Sequence, residues 1–248
     1  MKHALHTYPG YQELIRAVAD EIVARMNSAA KARGRASLVL SGGSTPKGVY
    51  ELLGSVGYRS RIAWDKVHFF WGDERCVPPS SPESNFRMAQ ESLVAKIPIP
   101  AENVHRIAGE QRPTEAARAY EMEIQNFFSL EPGEFPAFDF ILLGIGGDGH
   151  TASLFPGTTA LHVKDRIVTE VYVEKIKAHR ITMTFPTINN SRSICFVVEG
   201  KNKAVVLREI REDTGNAYPA QGVHPVAGEL LWFVDSAAAS ELQTITQS

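Results

Sequence analysis

The chain has little of what would tie it to a disulfide framework, a membrane or a polyanion. Its two cysteines, Cys76 and Cys195, stand among 248 residues without paired or zinc-type spacing, which suits a reducing compartment and excludes a disulfide scaffold. No apolar run approaches the roughly 18 residues of a membrane span. Met1 to Gly10 is polar and leads into an amphipathic segment, unlike a secretory signal. Neither sign of charge dominates, with 26 Lys and Arg against 28 Asp and Glu and a formal net charge of −2. A general nucleic-acid or membrane-surface role is therefore disfavoured, and any bound anion must be met by locally placed cations. HExxH, GxSxG and CxxC are all absent, so neither zinc hydrolysis, nor a serine elbow, nor a dithiol site has its usual pattern. The expectation is a soluble, cytoplasmic protein with no metal-binding pattern, either a monomer or a small homo-oligomer.

What is present is an alternation of strands and helices. Apolar residues make up 44% of the chain, enough for a sizeable core. In Tyr11 to Ala32 the residues Leu14, Ile15, Val18, Ile22, Val23 and Met26 form one helical stripe. Further helices are expected before Leu53, over Phe86 to Leu93, Thr114 to Phe128 and Ala204 to Arg211. Strands are expected at Ala36–Leu40, Lys66–Trp71, Phe140–Leu143, Arg166–Val173, Ser193–Val198 and Leu230–Val234. Arg180 to Phe185 alternates polar with apolar until Pro186 stops it, as an edge or half-buried strand would. No repeat and no long linker divides residues 1–248, so one domain is expected. The fold class that follows is α/β, Rossmann-like, with a mainly parallel sheet and helices on both faces.

The polar residues gather where strands end. Ser41-Gly42-Gly43-Ser44-Thr45-Pro46 follows a strand, with Thr45 as the expected helix cap and Pro46 in the first turn. A helix start of this kind offers free N–H groups and a positive dipole end to an anion. The loop has no Walker A lysine and no dinucleotide glycine pattern, so a phosphate is favoured over ATP or NAD. Asp73, Glu74 and Arg75 follow Trp71, where the alternative is a surface ion pair. Lys201 and Lys203 sit at a helix start, against the usual preference for acids there, though either alone could be a plain surface lysine. The apolar run Phe140 to Leu143 enters four glycines among six residues, Gly144 to Gly149, with Asp148 and His150 in the same turn. Right-handed crossovers bring strand-to-helix loops to one edge of a parallel sheet, so one crevice can collect all four. An imidazole beside a carboxylate, an anion cradle and several cations suit acid–base chemistry by water on a phosphorylated small molecule.

Six segments resemble the 6-phosphogluconolactonases, in order and across most of the chain: Ser41–Pro46, Trp71–Arg75, Leu143–Pro156, Arg180–Thr184, Asn189-Asn190 and Gly200–Ala204. The long glycine–histidine stretch is the specific one. The resemblance implies the three-layer sandwich shared with glucosamine-6-phosphate deaminase. It implies hydrolysis of 6-phospho-D-glucono-1,5-lactone to 6-phosphogluconate in the oxidative pentose phosphate pathway, without metal or cofactor. It implies that His150 activates water, supported by Asp148, with Arg75 as an electrostatic partner of the substrate. Ser41, Gly42, Gly43, Ser44 and Thr45, with Arg180 and Lys203, are implied as phosphate ligands, and Asp73 and Gly147 as further substrate contacts. The deaminases have an Asn-Glu-Pro-Gly pattern after the histidine, whose acid assists sugar-ring opening. This chain has Ser153-Leu-Phe-Pro-Gly157 there, with Phe155 in place of the glutamate, which favours the lactonase. The pattern departs at Pro219–Val223, where a serine is expected after the alanine. A non-catalytic sugar-phosphate sensor on the same fold is the remaining alternative.

Overall fold

The computed structural model describes residues 3–212 and 217–243. Six strands form one sheet, all in parallel: β1 (His3–Tyr8), β2 (Ala36–Leu40), β3 (Val67–Trp71), β5 (Phe140–Leu143), β8 (Ser193–Val198) and β9 (Glu229–Asp235). Their order is β1-β9-β8-β5-β2-β3. The chain passes from β2 outward to β3 and then returns to the other side of β2 to lay down β5. The winding therefore reverses between β2 and β5, the place where parallel α/β sheets open a crevice at their carboxyl ends.

Every residue of β2, β5 and β8 is buried, which accounts for sequences that are apolar except at Ser37 and Ser193, since both sheet faces are covered. Helix α1 (Tyr11–Arg33) lays Leu14, Val18, Ile22 and Met26 inward, each fully buried, at about 1.5–3 kcal/mol of transfer free energy per side chain. It ends at Gly34, whose φ of 76° is the left-handed cap that glycine takes without strain. The other helices are α2 (Ser44–Leu53), α3 (Asn85–Ser92), α4 (Pro113–Phe128), α5 (Phe185–Asn189) and α6 (Ala204–Glu212). The architecture is a mixed α/β fold with a parallel central sheet flanked by helices.

Three further strands form a small antiparallel sheet in the order β4 (Asp73–Arg75), β7 (Ala178–Met183), β6 (Val168–Val173). Two expectations change here. Asp73 to Arg75 is a strand and not a strand-to-helix loop, because the chain leaves the parallel sheet at Gly72 and pairs at once with β7. The Arg180 segment is the middle strand of its sheet, which removes the edge alternative and leaves the half-buried one: Ala178 to Arg180 keep some exposure, while Ile181, Thr182 and Met183 are buried. Strand β1 was not anticipated, because its polar sequence, His3-Ala-Leu-His-Thr-Tyr8, belongs to an outermost strand that is only partly covered.

Two buried tyrosines fix the strand ends nearest the crevice. The Tyr50 hydroxyl accepts from Ser41 N at 2.8 Å and donates to Ser41 O at 2.9 Å. Tyr120 does the same for Trp71, at 2.8 and 3.2 Å. A chain leaving a strand has lost its ladder partners, and a buried hydroxyl meets both backbone groups at once.

Candidate functional site

At the end of β2 the chain turns through Ser41, Gly42 and Gly43 into α2. The helix begins at Ser44, one residue before the expected cap at Thr45. Its cap is Gly43, at φ 107° and ψ 164° and with no side-chain capping bond. A cap without a side chain leaves the first-turn N–H groups open, as an anion site requires. A Cβ on Gly42 would lie 2.2 Å from the Asn85 side-chain oxygen, so glycine here permits close packing of α3 against the loop.

Asn85 was not anticipated. Its amide donates to Asp73 O at 3.0 Å and to the Asp73 carboxylate at 3.2 Å, while Ser153 Oγ donates to the other Asp73 oxygen at 2.6 Å. Asp73 is thus buried and held from two sides. Its neighbour Glu74 is also buried and accepts from Arg75 N, Asn85 N and Phe86 N at 2.7–2.8 Å. Its role is to anchor the start of α3.

At the end of β5 the turn closes tightly, with Gly146 N donating to His150 O at 2.8 Å and Gly149 N to Gly146 O at 3.0 Å. Gly149 has φ 70° and packs on the Tyr218 ring, which a Cβ would meet at 2.2 Å. Ala220 N donates to Gly149 O at 2.9 Å, so the Pro219–Val223 segment, where the serine is missing, serves as a brace for this turn. The turn spells G-x-G-x-x-G, yet no helix follows it, so it is not a dinucleotide turn.

The imidazole of His150 folds back over Gly146, where a Cβ would lie 2.0 Å from its Nδ1. Nδ1 pairs with Asp148 Oδ1 at 2.5 Å, and the other carboxylate oxygen takes Lys175 Nζ at 2.8 Å. Partial burial opposes ionisation of Asp148, but the Lys175 and His150 bonds outweigh it and hold the carboxyl well below its usual range. The Phe155 ring stacks on the imidazole at 4.0 Å between centroids. With Nδ1 committed, Nε2 is the nitrogen left for chemistry.

His150 stands between two lobes of one crevice. The first, about 290 Å³, is lined by Ser41 to Pro46, Asn85, Gly144 to Gly146 and Lys203; the second, about 420 Å³, by Gly147, Asp148, Phe155, Lys175 and Arg180. Asp73, Arg75, His150 and Ala152 line both. The expected catalytic and substrate-contacting residues line one crevice, with Arg180 in the second lobe and the cradle and Lys203 in the first; Glu74 and Lys201, from the same strand-end segments, line neither lobe. Arg75 and Arg180 are directly opposite across the β4–β7 pair. Among the described residues neither forms an ion pair with a carboxylate, an arrangement of like charges that costs stability unless an anion faces it. Burial, and then Arg75, lower the Arg180 pKa from its ordinary value. Lys175 and Asn85 carried no sequence signal, since a lone lysine in a hairpin and a lone asparagine before a helix look like ordinary surface chemistry. Burial pushes the Cys76 thiol up to about 11, which disfavours the thiolate a nucleophile needs. No group of three or more His, Cys, Asp or Glu among the described residues could hold a metal ion.

Fold and crevice together define a parallel α/β protein with a strand-end site that joins an anion cradle to a carboxylate–imidazole pair. Residues 9–232 match the model of the glucosamine-6-phosphate isomerases/6-phosphogluconolactonase family, and the chain belongs to that family. It is 44% identical over 245 residues to a 6-phosphogluconolactonase of Nostoc sp., across 98% of this chain and 99% of the relative. The crystal structure of 6-phosphogluconolactonase from Thermotoga maritima superposes with a TM-score of 0.82 at 33% identity, over 95% of this chain and 100% of that one. A monomeric glucosamine-6-phosphate deaminase, at 23% identity and a TM-score of 0.76 over 97% of this chain and 100% of that one, shares the fold.

Proposed function

We propose that this chain hydrolyses 6-phospho-D-glucono-1,5-lactone to 6-phosphogluconate, as a cytoplasmic enzyme of the oxidative pentose phosphate pathway working as a single domain, monomeric or in a small homo-oligomer. The observation that carries the reading is the placement of His150, with Nδ1 held by Asp148 and its ring lining the same cavity as the Ser41–Thr45 cradle. The cradle and Lys203 hold the phosphate, and the first lobe spans from there to the imidazole. His150 Nε2 takes a proton from water while the water oxygen bonds to the lactone carbonyl carbon. Asp148 keeps the proton on Nδ1 and stabilises the imidazolium. The carbonyl oxygen becomes an oxyanion facing Arg75, Arg180 and the Gly147 backbone. When the tetrahedral centre collapses, the ring C–O bond breaks and the imidazolium returns its proton to the departing ring oxygen; the new carboxylic acid then loses its own proton to solvent, and a carboxylate remains in the second, cationic lobe. Asp73, tied by Asn85 and Ser153, fixes the wall beside the reacting carbon.

Phe155 argues against the deaminase. The acid expected for ring opening is replaced by an apolar ring stacked on the base, which offers no proton. The test is to add the protein to freshly generated lactone and follow acid release, with ammonia release from glucosamine 6-phosphate in parallel. Acid release alone supports the lactonase; ammonia release alone supports the deaminase. Binding of sugar phosphates without turnover of either compound supports a sensor.

A further inference from the structure

We infer that Lys175 is a positioning residue of the His150–Asp148 pair, and that its ammonium sets the pH at which the imidazole becomes able to accept a proton. The inference deepens the proposed chemistry and rests on it only for the kinetic half of its test. Lys175 sits in the one-turn tip Glu174–Ile176 between β6 and β7. The tip closes through Lys177, a non-glycine residue at φ 47° whose N–H donates to Glu174 O at 3.2 Å, an uncommon conformation for lysine that fixes how the hairpin turns. This hairpin belongs to the small antiparallel sheet, which reaches the glycine turn from a different part of the fold.

The carboxylate of Asp148 is shared. One oxygen faces the imidazole at 2.5 Å and the other the ammonium at 2.8 Å. An ammonium on the far oxygen does two things. It fixes the carboxylate's rotation, and so the ring it orients. It also offsets the negative charge that would otherwise favour the imidazolium, so that the base stays deprotonated to lower pH. The other charged groups lining the cavities beside His150 are Asp73 and Arg75 on β4, Arg180 on β7, and Glu199 and Lys203 beyond β8. Of these cations, Lys175 alone bonds to the carboxylate that holds the ring. The competing account is a plain surface ion pair, since the lysine side chain is 69% exposed, and such pairs contribute little to stability.

The experiment compares the parent protein with Lys175→Met and Lys175→Arg. His150 is followed by NMR across pH, its signals identified by their loss in His150→Gln. Removal of the charge moves the His150 titration curve to higher pH by about half a unit, Lys175→Arg restores it, and 1 M salt shrinks the difference. The acid limb of kcat/KM for lactone hydrolysis moves by the same amount in the same direction. Superimposable titration curves for parent and Lys175→Met, with both proteins equally stable to heat, overturn the inference. A moved NMR curve without lactone turnover in the parent leaves the inference standing and overturns the proposed substrate.

Discussion

Among the described residues two imidazole–carboxylate pairs have nearly the same geometry, and one of them is placed to act. His150 Nδ1 meets Asp148 at 2.5 Å; His105 Nδ1 meets Glu123 at 2.7 Å. The difference lies in the second nitrogen and in what surrounds it. Nε2 of His105 is taken by His68 Nδ1 at 3.1 Å, and its ring stacks on Phe70 at 4.4 Å beside the sheet's edge strand β3. There the pair pins the segment after Asn103 to the sheet, with His105 N donating to Phe69 O at 2.9 Å. At His150 the corresponding nitrogen is left for a ligand, and the cavity it lines also holds the open start of α2. A polarised imidazole becomes a base only where its free nitrogen and an anion-holding surface lie within one small molecule's length.

The largest effect that can break this comparison is loss of turnover. His150→Gln keeps a polar side chain of similar reach but cannot take up a proton, and lactone hydrolysis should fall by about 10²–10⁴-fold, with phosphate protection of the fold against heat unchanged. His105→Gln should leave kcat within about twofold, because His105 lies outside the crevice and its second nitrogen is taken by His68. A comparable loss in both variants would show that the crevice does not contain the base.

A smaller effect sharpens the same point by moving the ring without removing it. A methyl at Gly146 would stand 2.0 Å from His150 Nδ1, so Gly146→Ala must push the imidazole off Asp148. Displacement of a catalytic group by about 1 Å can cost on the order of 10²-fold, and a fall in kcat of about 10–100-fold with little change in KM is expected. Gly144→Ala, with nothing within 4 Å of the added Cβ, is the control. Equal kcat in the two variants would mean that the close packing of ring on glycine is not used in the chemistry.

The sequence conveyed this difference only in part. Strand β5 and its glycine turn were legible because burial on both sheet faces removes polar alternation, and because a turn that must close within seven residues draws on glycine. The cradle was legible as strand, glycines and helix start. Its cap was misplaced at Thr45, since a glycine at φ 107° leaves no side-chain signature. Of the second sheet, β6 and β7 were legible as strands but β4 was hidden: it has three charged residues, Asp73-Glu74-Arg75, and the burial of Asp73 and Glu74 follows from distant partners such as Asn85 and Ser153. Lys175 was invisible for the same reason, its meaning lying in a carboxylate 27 positions away. Arg180 is named as a phosphate ligand by resemblance alone; its place opposite Arg75 comes from the antiparallel register, which no local pattern displays.

The smallest effect concerns the structural pair. Burial first, then His105 and Arg35, lower the pKa of His68 to about 4, so the folded protein keeps this ring neutral where the unfolded chain, near 6.5, would charge it. Below pH 6.5 the unfolded state therefore binds a proton that the folded state refuses. Stability falls as pH falls through that window and levels off below about 4. Because the ring is only half buried, the loss is about 1–2 kcal/mol. His68→Phe, whose ring would pack against Phe127 at the 4.7 Å centroid spacing that His68 has now, removes the titrating group. The drop in Tm between pH 7 and pH 4.5 should then be smaller in the variant by a few degrees, whatever the variant's Tm at pH 7. Parallel Tm curves across that range would mean that His68 takes up its proton in place, and that the edge pair is as open to water as the one in the crevice.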